Sequence, residues 1–166
     1  MILTAFVILL LLSGCTKVKN SQKPDFNAFE MTADIKYNGM DIEAKIARKA
    51  LNLYTVELLS PKELKGMTID YDGEELKFKY LGITFNTYPA ALPDQSFLKG
   101  MFSVFNEVSV NDKLSFKSKS GQIIIGGATD YGDFEVITDE NGNLKSISIK
   151  DLDFTTIIKE YKKPTD

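Results

Sequence analysis

Few side chains in this 166-residue chain are equipped for chemistry, and their kinds narrow what it can do. Histidine is absent, which removes Ser-His-Asp and Cys-His nucleophile systems and every zinc site built on imidazole. The single cysteine, Cys15, follows Leu12-Ser13-Gly14 and has no second thiol for an intramolecular disulfide. Arg48 is the sole arginine among 20 Lys and Arg residues, so a bidentate clamp for phosphate or carboxylate has one candidate. Carboxylates gather at Asp70-Asp72-Glu74-Glu75, at Asp130-Asp133-Glu135 and at Asp151-Asp153, and paired acids are the machinery of glycoside hydrolysis. Most of them fall in turns or on solvent-facing strand positions, and no tryptophan supplies a sugar platform. The stretch Asp139-Glu140-Asn141-Gly142-Asn143 opens like a calcium loop, but Lys150 stands where the twelfth-position glutamate is needed. A hairpin turn is expected there, and no catalytic residue, metal site or cofactor is expected anywhere.

The cysteine becomes intelligible in its context. From Met1 to Gly14 there is no charge, and the run Ala5 to Leu12 is wholly apolar. That is shorter than the roughly 20 residues a spanning helix needs and suits the hydrophobic region of a secretory leader. Together with Leu12-Ser13-Gly14-Cys15 the pattern resembles the bacterial lipobox. The resemblance implies cleavage before Cys15 and attachment of lipid to its thiol. Two or three acyl chains, at about 0.8 kcal/mol per buried methylene, would hold the chain to a membrane. The alternatives are a plain signal peptide or a signal anchor. A leader normally opens with Lys or Arg, so the start Met1-Ile2-Leu3 points to an incomplete N-terminus or a mis-set start. The expected location is outside the cytoplasm, on the outer face of the cytoplasmic membrane, or on an outer membrane where one exists.

Residues 1–14 are thus expected to be signal peptide, 15–25 a polar lipidated tether, and 26–166 one domain large enough to bury a substantial core. The formal charge of -3 and the absence of basic stripes give no electrostatic case for nucleic acid. Lysine patches at Lys117 and Lys119, and at Lys159, Lys162 and Lys163, are more readily solvated edges than headgroup sites, since lysine also blocks edge-to-edge pairing.

Alternation of period two marks the strands. Phe29, Met31, Ala33, Ile35 and Tyr37 share one face, and Asn38-Gly39 then turns the chain into a second strand through Met40, Ile42, Ala44 and Ile46. Tyr54 to Leu58, Met67 to Tyr71, Leu76 to Tyr80 and Ile83 to Tyr88 continue the pattern, with a short turn at Ser60 to Gly66. The period changes over Asp94 to Val108, where Phe97, Leu98, Met101, Phe102, Val104, Phe105 and Val108 recur at helical spacing. Alternation returns through Leu114-Phe116, Ile123-Ile125, Phe134-Val136, Leu144 to Ile149 and Leu152 toward Tyr161. Many sequential strands interrupted by one amphipathic helix predict a mainly β, α+β fold, a large curled antiparallel sheet around that helix.

The hairpin at Tyr37-Asn38-Gly39-Met40, the segments Val56-Glu57-Leu58-Leu59-Ser60-Pro61 and Leu64-Lys65-Gly66, and Ile69-Asp70-Tyr71-Asp72-Gly73 with Tyr80-Leu81-Gly82 resemble the lipoprotein-localisation superfamily of LolA- and LolB-like carriers. The resemblance implies an unclosed half-barrel with helices over its concave face and, as in some members, apolar space for acyl chains. Such a cavity would be lined by Phe97, Met101, Phe102 and Phe105 from the helix, with Phe78 and Tyr80 from the sheet. The bland alternative is that the helical residues are ordinary core. The chain departs from the family in having one clear helix, and its motifs give no firm match between Arg48 and the arginine that helps the soluble carrier hold cargo.

The expected function is a non-enzymatic envelope lipoprotein that binds a lipid or other apolar ligand between sheet and helix, its first partner being the membrane that holds Cys15. The second expectation is an interaction module that contacts an envelope protein through sheet edges or the Tyr88 to Leu92 loop. Exposure of Phe85, Tyr88 and Leu92 together would favour it.

Overall fold

The computed structural model describes residues 23–164; the leader, Cys15 and the first part of the tether lie outside them. Every stretch of expected alternation contains a strand, although Leu152, the expected start of the last one, lies in a 3-10 turn (Lys150–Leu152) ahead of it. β1 (Phe29–Tyr37), β2 (Met40–Ala50), β3 (Leu53–Ser60), β4 (Thr68–Tyr71), β5 (Leu76–Tyr80) and β6 (Ile83–Thr87) precede α1 (Phe97–Val110), and β7 (Ser115–Lys119), β8 (Gln122–Thr129), β9 (Gly132–Asp139), β10 (Leu144–Ile149) and β11 (Phe154–Lys162) follow it. The pattern in β1 shows the cause: Phe29, Met31, Ala33 and Ile35 are buried while Glu30, Asp34 and Lys36 face water.

All neighbours pair antiparallel in one eleven-stranded sheet of order β6-β5-β4-β3-β2-β1-β11-β10-β9-β8-β7. Two meanders, β1 to β6 and β7 to β11, are therefore joined only where β1 pairs with β11, from Glu30 opposite Lys162 to Tyr37 opposite Phe154. The outer strands β6 and β7 do not meet. The sheet is an unclosed half-barrel, as expected, with α1 packed into its apolar face.

That face is filled in register. Tyr161, Met31, Ile46, Val56, Ile69, Phe78 and Phe85 lie opposite one another across seven strands. Met31, Ile46, Val56 and Ile69 are buried, Phe78 is half-buried and Phe85 is exposed, so cover is lost toward β6. Against the centre α1 presses Met101, Val104, Phe105 and Val108, all fully buried. Such side chains contribute about 1.5–3 kcal/mol each over exposure. Gly100 has a packing reason: a Cβ there would run into Leu152 Cδ1 and come within 3.1 Å of Ile149 Cδ1.

On the outer face, Asp34 of β1 and Glu43 of β2 are directly opposite, a like-charge pair that would repel. Lys159 of β11 reaches both, at 2.7 and 2.9 Å, and these hydrogen bonds raise the pKa of its ammonium.

Candidate functional site

The site is built around the two ends and the outward face of α1. At its C-terminal end stands Arg48, 1 % exposed although no carboxylate among the described residues pairs with it. Alternation places it on the inner face of β2, and its guanidinium donates to the carbonyls of Phe26 (2.8 Å), Phe105 (3.3 Å) and Ala50 (3.3 Å), to Ser109 Oγ (2.8 Å) and to Asn106 Oδ1 (3.1 Å). Five acceptors and the negative end of the helix dipole replace a counter-ion. Burial lowers the arginine pKa, an effect opposed first by the Coulombic influence of Tyr54 and then by that of Asp25; the Tyr54 ring centroid also lies 5.3 Å from Cζ, a cation–π distance. Arg48 is thus a staple fixing helix, sheet and incoming chain rather than a clamp open to ligand.

The incoming chain is fixed there too. Lys23 Nζ donates to the carbonyls of Ser109 (3.2 Å) and Asn111 (2.9 Å) and to Asp112, while Pro24 and Phe26 are buried. Residues 23–25, expected to be tether, are docked onto the end of α1.

Along the outward face of the helix lies an open groove of about 380 Å³. Its floor is α1, through Leu98, Phe102, Ser103, Asn106 and Val110; one side is Tyr71 and Leu76; another is the loop at Pro89, Ala90 and Leu92; and Asp130 with Tyr131 reaches in from the β8–β9 turn. Tyr71 and Tyr131 come from opposite arms of the half-barrel. Phe102 stacks parallel to Tyr54 at 4.2 Å and to Tyr71 at 5.4 Å, making a rigid aromatic wall. Polar groups punctuate it. Lys99 Nζ donates to the Leu92 carbonyl at 2.9 Å, which lashes the 89–92 loop to the helix, and Asn106 accepts from Tyr54 Oη and donates to Asn52.

The six residues expected to line a cavity are separated by the fold. Phe102 borders the groove. Met101 and Phe105 are fully buried, the latter against Phe29 with ring centroids 4.8 Å apart, so the space between helix and sheet is filled at these positions. Phe97 packs between Tyr37 and Phe154, Phe78 stacks on Phe85, and the Tyr80 hydroxyl donates to the Glu63 carbonyl. The groove residues that sequence reasoning missed, Leu98, Asn106 and Val110, form an i, i+8, i+12 row beside the core row. An asparagine inside an apolar row was the available signal.

Of the acidic clusters, Asp70 is committed to Lys79 (2.7 Å) and Thr55 (3.0 Å), and the lysine bond chiefly lowers its pKa. Asp72 accepts the amides of Glu75 and Glu74, which lower its pKa likewise. Asp139 caps the Asn141-Gly142 hairpin by accepting from the Asn141 and Asn143 amides. Asp130 and Asp151 line a second, polar hollow of about 570 Å³ with Asp94, Gln95 and Thr129. No group of three His, Cys, Asp or Glu that could hold a metal occurs among the described residues, and no helix among them is long and apolar enough to cross a membrane.

No protein-family model and no curated protein matches the chain. Solved structures do. An uncharacterised conserved protein from Thermus thermophilus superposes with a TM-score of 0.55 at 10% identity, over 90% of this chain and 84% of that one. The likeness is one of fold alone. Weaker similarities, at TM-scores of 0.45 and 0.41, are to a chain in the complex of the CwlD amidase with the GerS lipoprotein from Clostridioides difficile (16% identity, 86% of each chain) and to the LolA superfamily protein NE2245 from Nitrosomonas europaea (9% identity, 88% of this chain and 90% of that one).

Proposed function

We propose that this protein is an exported, lipid-anchored half-barrel of the bacterial envelope that holds an apolar ligand in the groove on the outward face of α1. The observation that carries the reading is the groove itself. It is concave, and Leu76, Leu92, Leu98, Phe102 and Val110 supply apolar lining that Lys99, Ser103, Asn106, Glu107 and Asp130 interrupt, so it offers apolar contacts and polar partners to one ligand. Its volume is at the lower end of the roughly 300–1,000 Å³ of such sites, which suits one acyl-sized chain better than a bulky ligand. Relative to the expected location, the ligand is moved from beneath the helix to above it.

Anchoring rests on the sequence around Cys15. Metabolic labelling with a palmitate analogue is expected to mark the wild type and leave Cys15→Ser unlabelled; labelling of both would remove the anchor from the account. For the ligand, protein purified from its own membrane is to be extracted with organic solvent and the non-covalent fraction read by lipid mass spectrometry. A recurrent apolar species supports the groove, and an empty extract overturns it.

A second reading, an interaction module, is favoured by one observation: Phe85 and Tyr88, on β6 and just after it, are both more than half exposed, with Leu92 half-buried nearby in sequence.

A further inference from the structure

The two ends of the sheet are finished differently. β7 carries Lys117 and Lys119 on its five exposed or half-exposed residues, the usual protection of an edge against strand addition. β6, Ile83-Thr84-Phe85-Asn86-Thr87, has no charge, no proline and no bulge, and residues 81–93 contain no charged side chain. Four of its five residues are exposed.

Its register defines what the edge offers. The two-residue turn Leu81-Gly82 makes Tyr80 and Ile83 the closing pair, and ladder alternation then turns the N–H and C=O groups of Ile83, Phe85 and Thr87 toward β5 and those of Thr84 and Asn86 outward. The turn is itself unusual. Leu81 has φ +50 and is 82 % exposed, whereas Asn38 and Ser120 fill the same place before Gly39 and Gly121. A large apolar residue in the left-handed region at a hairpin tip is strained and gains nothing from burial within its own chain.

We infer that β6 is the dimerisation edge of this protein and that its occupant is β6 of a second copy, paired antiparallel about a two-fold axis at Phe85. That register sets Phe85 against Phe85 and Ile83 against Thr87, and exchanges the free groups of Thr84 and Asn86 between copies. It also brings Leu81 beside the Tyr88-Pro89 segment of the other copy. The pairing is self-complementary and opposes no charges along the strand, because β6 has none. Leu81, Ile83, Phe85 and Tyr88 are 82, 68, 53 and 67 % exposed, which at about 150–250 Å² for a large side chain leaves roughly 500 Å² of apolar surface per copy. Two copies would cover at most roughly 1,000 Å², below the range of permanent interfaces, so the dimer is reversible in solution. Anchoring on one membrane would raise its population, but the inference does not depend on the anchor or on the groove.

The test is sedimentation of a chain from residue 16 onward, which contains every described element, alongside Thr84→Pro and Phe85→Lys. Thr84→Pro removes an outward amide that no strand of its own chain uses, a position where an edge strand tolerates proline. The wild-type mass is expected to rise toward twice that of one chain between about 10 and 500 µM, a weak-affinity range. Both variants should stay monomeric with unchanged circular dichroism, while Lys117→Ala behaves as wild type. Hydrogen exchange gives a second reading: the Thr84 and Asn86 amides should slow at least several-fold from the lowest to the highest concentration. A wild type monomeric throughout, association that survives Phe85→Lys, or exchange at these amides independent of concentration overturns the proposal. So does a monomer whose Leu81 to Tyr88 patch instead binds lipid vesicles.

Discussion

On its inner face α1 sets Met101, Val104, Phe105 and Val108 into a row of sheet residues chosen to meet them; on its outer face Leu98, Phe102, Asn106 and Val110 meet a groove. Both rows come from the same fourteen residues and are mainly apolar, so composition does not distinguish them. What differs is the opposing surface. Beneath the helix Phe26, Phe29, Tyr54, Ile149 and Leu152 close directly against it, whereas above it only separated pieces arrive: Tyr71 and Leu76, the 89–92 loop, and Tyr131. An amphipathic helix therefore states which face is buried, and the rest of the chain decides whether its flanks are covered.

The largest expected loss of stability is at Phe105. Phe105→Ala should lower unfolding free energy by about 3–5 kcal/mol in denaturant titration, because ring contacts to Phe26, Phe29 and Tyr54 are lost into a cavity that cannot collapse. Arg48→Met takes the guanidinium donor from the Phe26 carbonyl and one of two donors each from the Phe105 carbonyl and Asn106 Oδ1, and should cost about 1–3 kcal/mol. Arg48→Lys should recover little of that, since an ammonium cannot span the same acceptors. Gly100→Ala pushes Leu152 aside and should cost about 1–3 kcal/mol despite better helix propensity. On the groove side, Ser103→Trp should change stability by no more than about 0.5 kcal/mol while reducing ligand affinity at least tenfold.

The smallest expected effects are those of pH. Asp70 and Asp72 have folded pKa values below the ordinary 3.8, so the stability they contribute is present above that value and is lost as pH falls through their depressed folded pKa values. Asp70→Asn should flatten this acid limb in thermal melts between about pH 4 and 2. Burial raises Tyr54 and Tyr161 above 10.0, so their contribution is complete below that pH and declines as pH rises past it. Tyr54→Phe should flatten the alkaline limb of the same melts.

Strands and turns were legible because each is encoded by neighbours a few residues apart. Asn38-Gly39 can sit in the left-handed region, as observed, and Phe29 to Ile35 alternate regardless of what lies across from them. The joining of β1 to β11 and the return of the 88–95 loop beside α1 link residues distant in sequence and leave no local period. Arg48 stands out in the sequence as the only arginine, but its service to the end of α1 depends on strand register placing it there. Met101 and Phe105 recur at a helical spacing that marks a core face as readily as a cavity wall. Phe102, on the border between the two faces, is the one expected lining residue that the groove retains.

The most direct test of that groove is native mass spectrometry of the non-covalent adduct on protein purified from its own membrane, wild type against Ser103→Trp. One recurrent apolar adduct per chain is expected on the wild type, with its loss from the tryptophan variant. An adduct carried equally by both, or by neither, would contradict it.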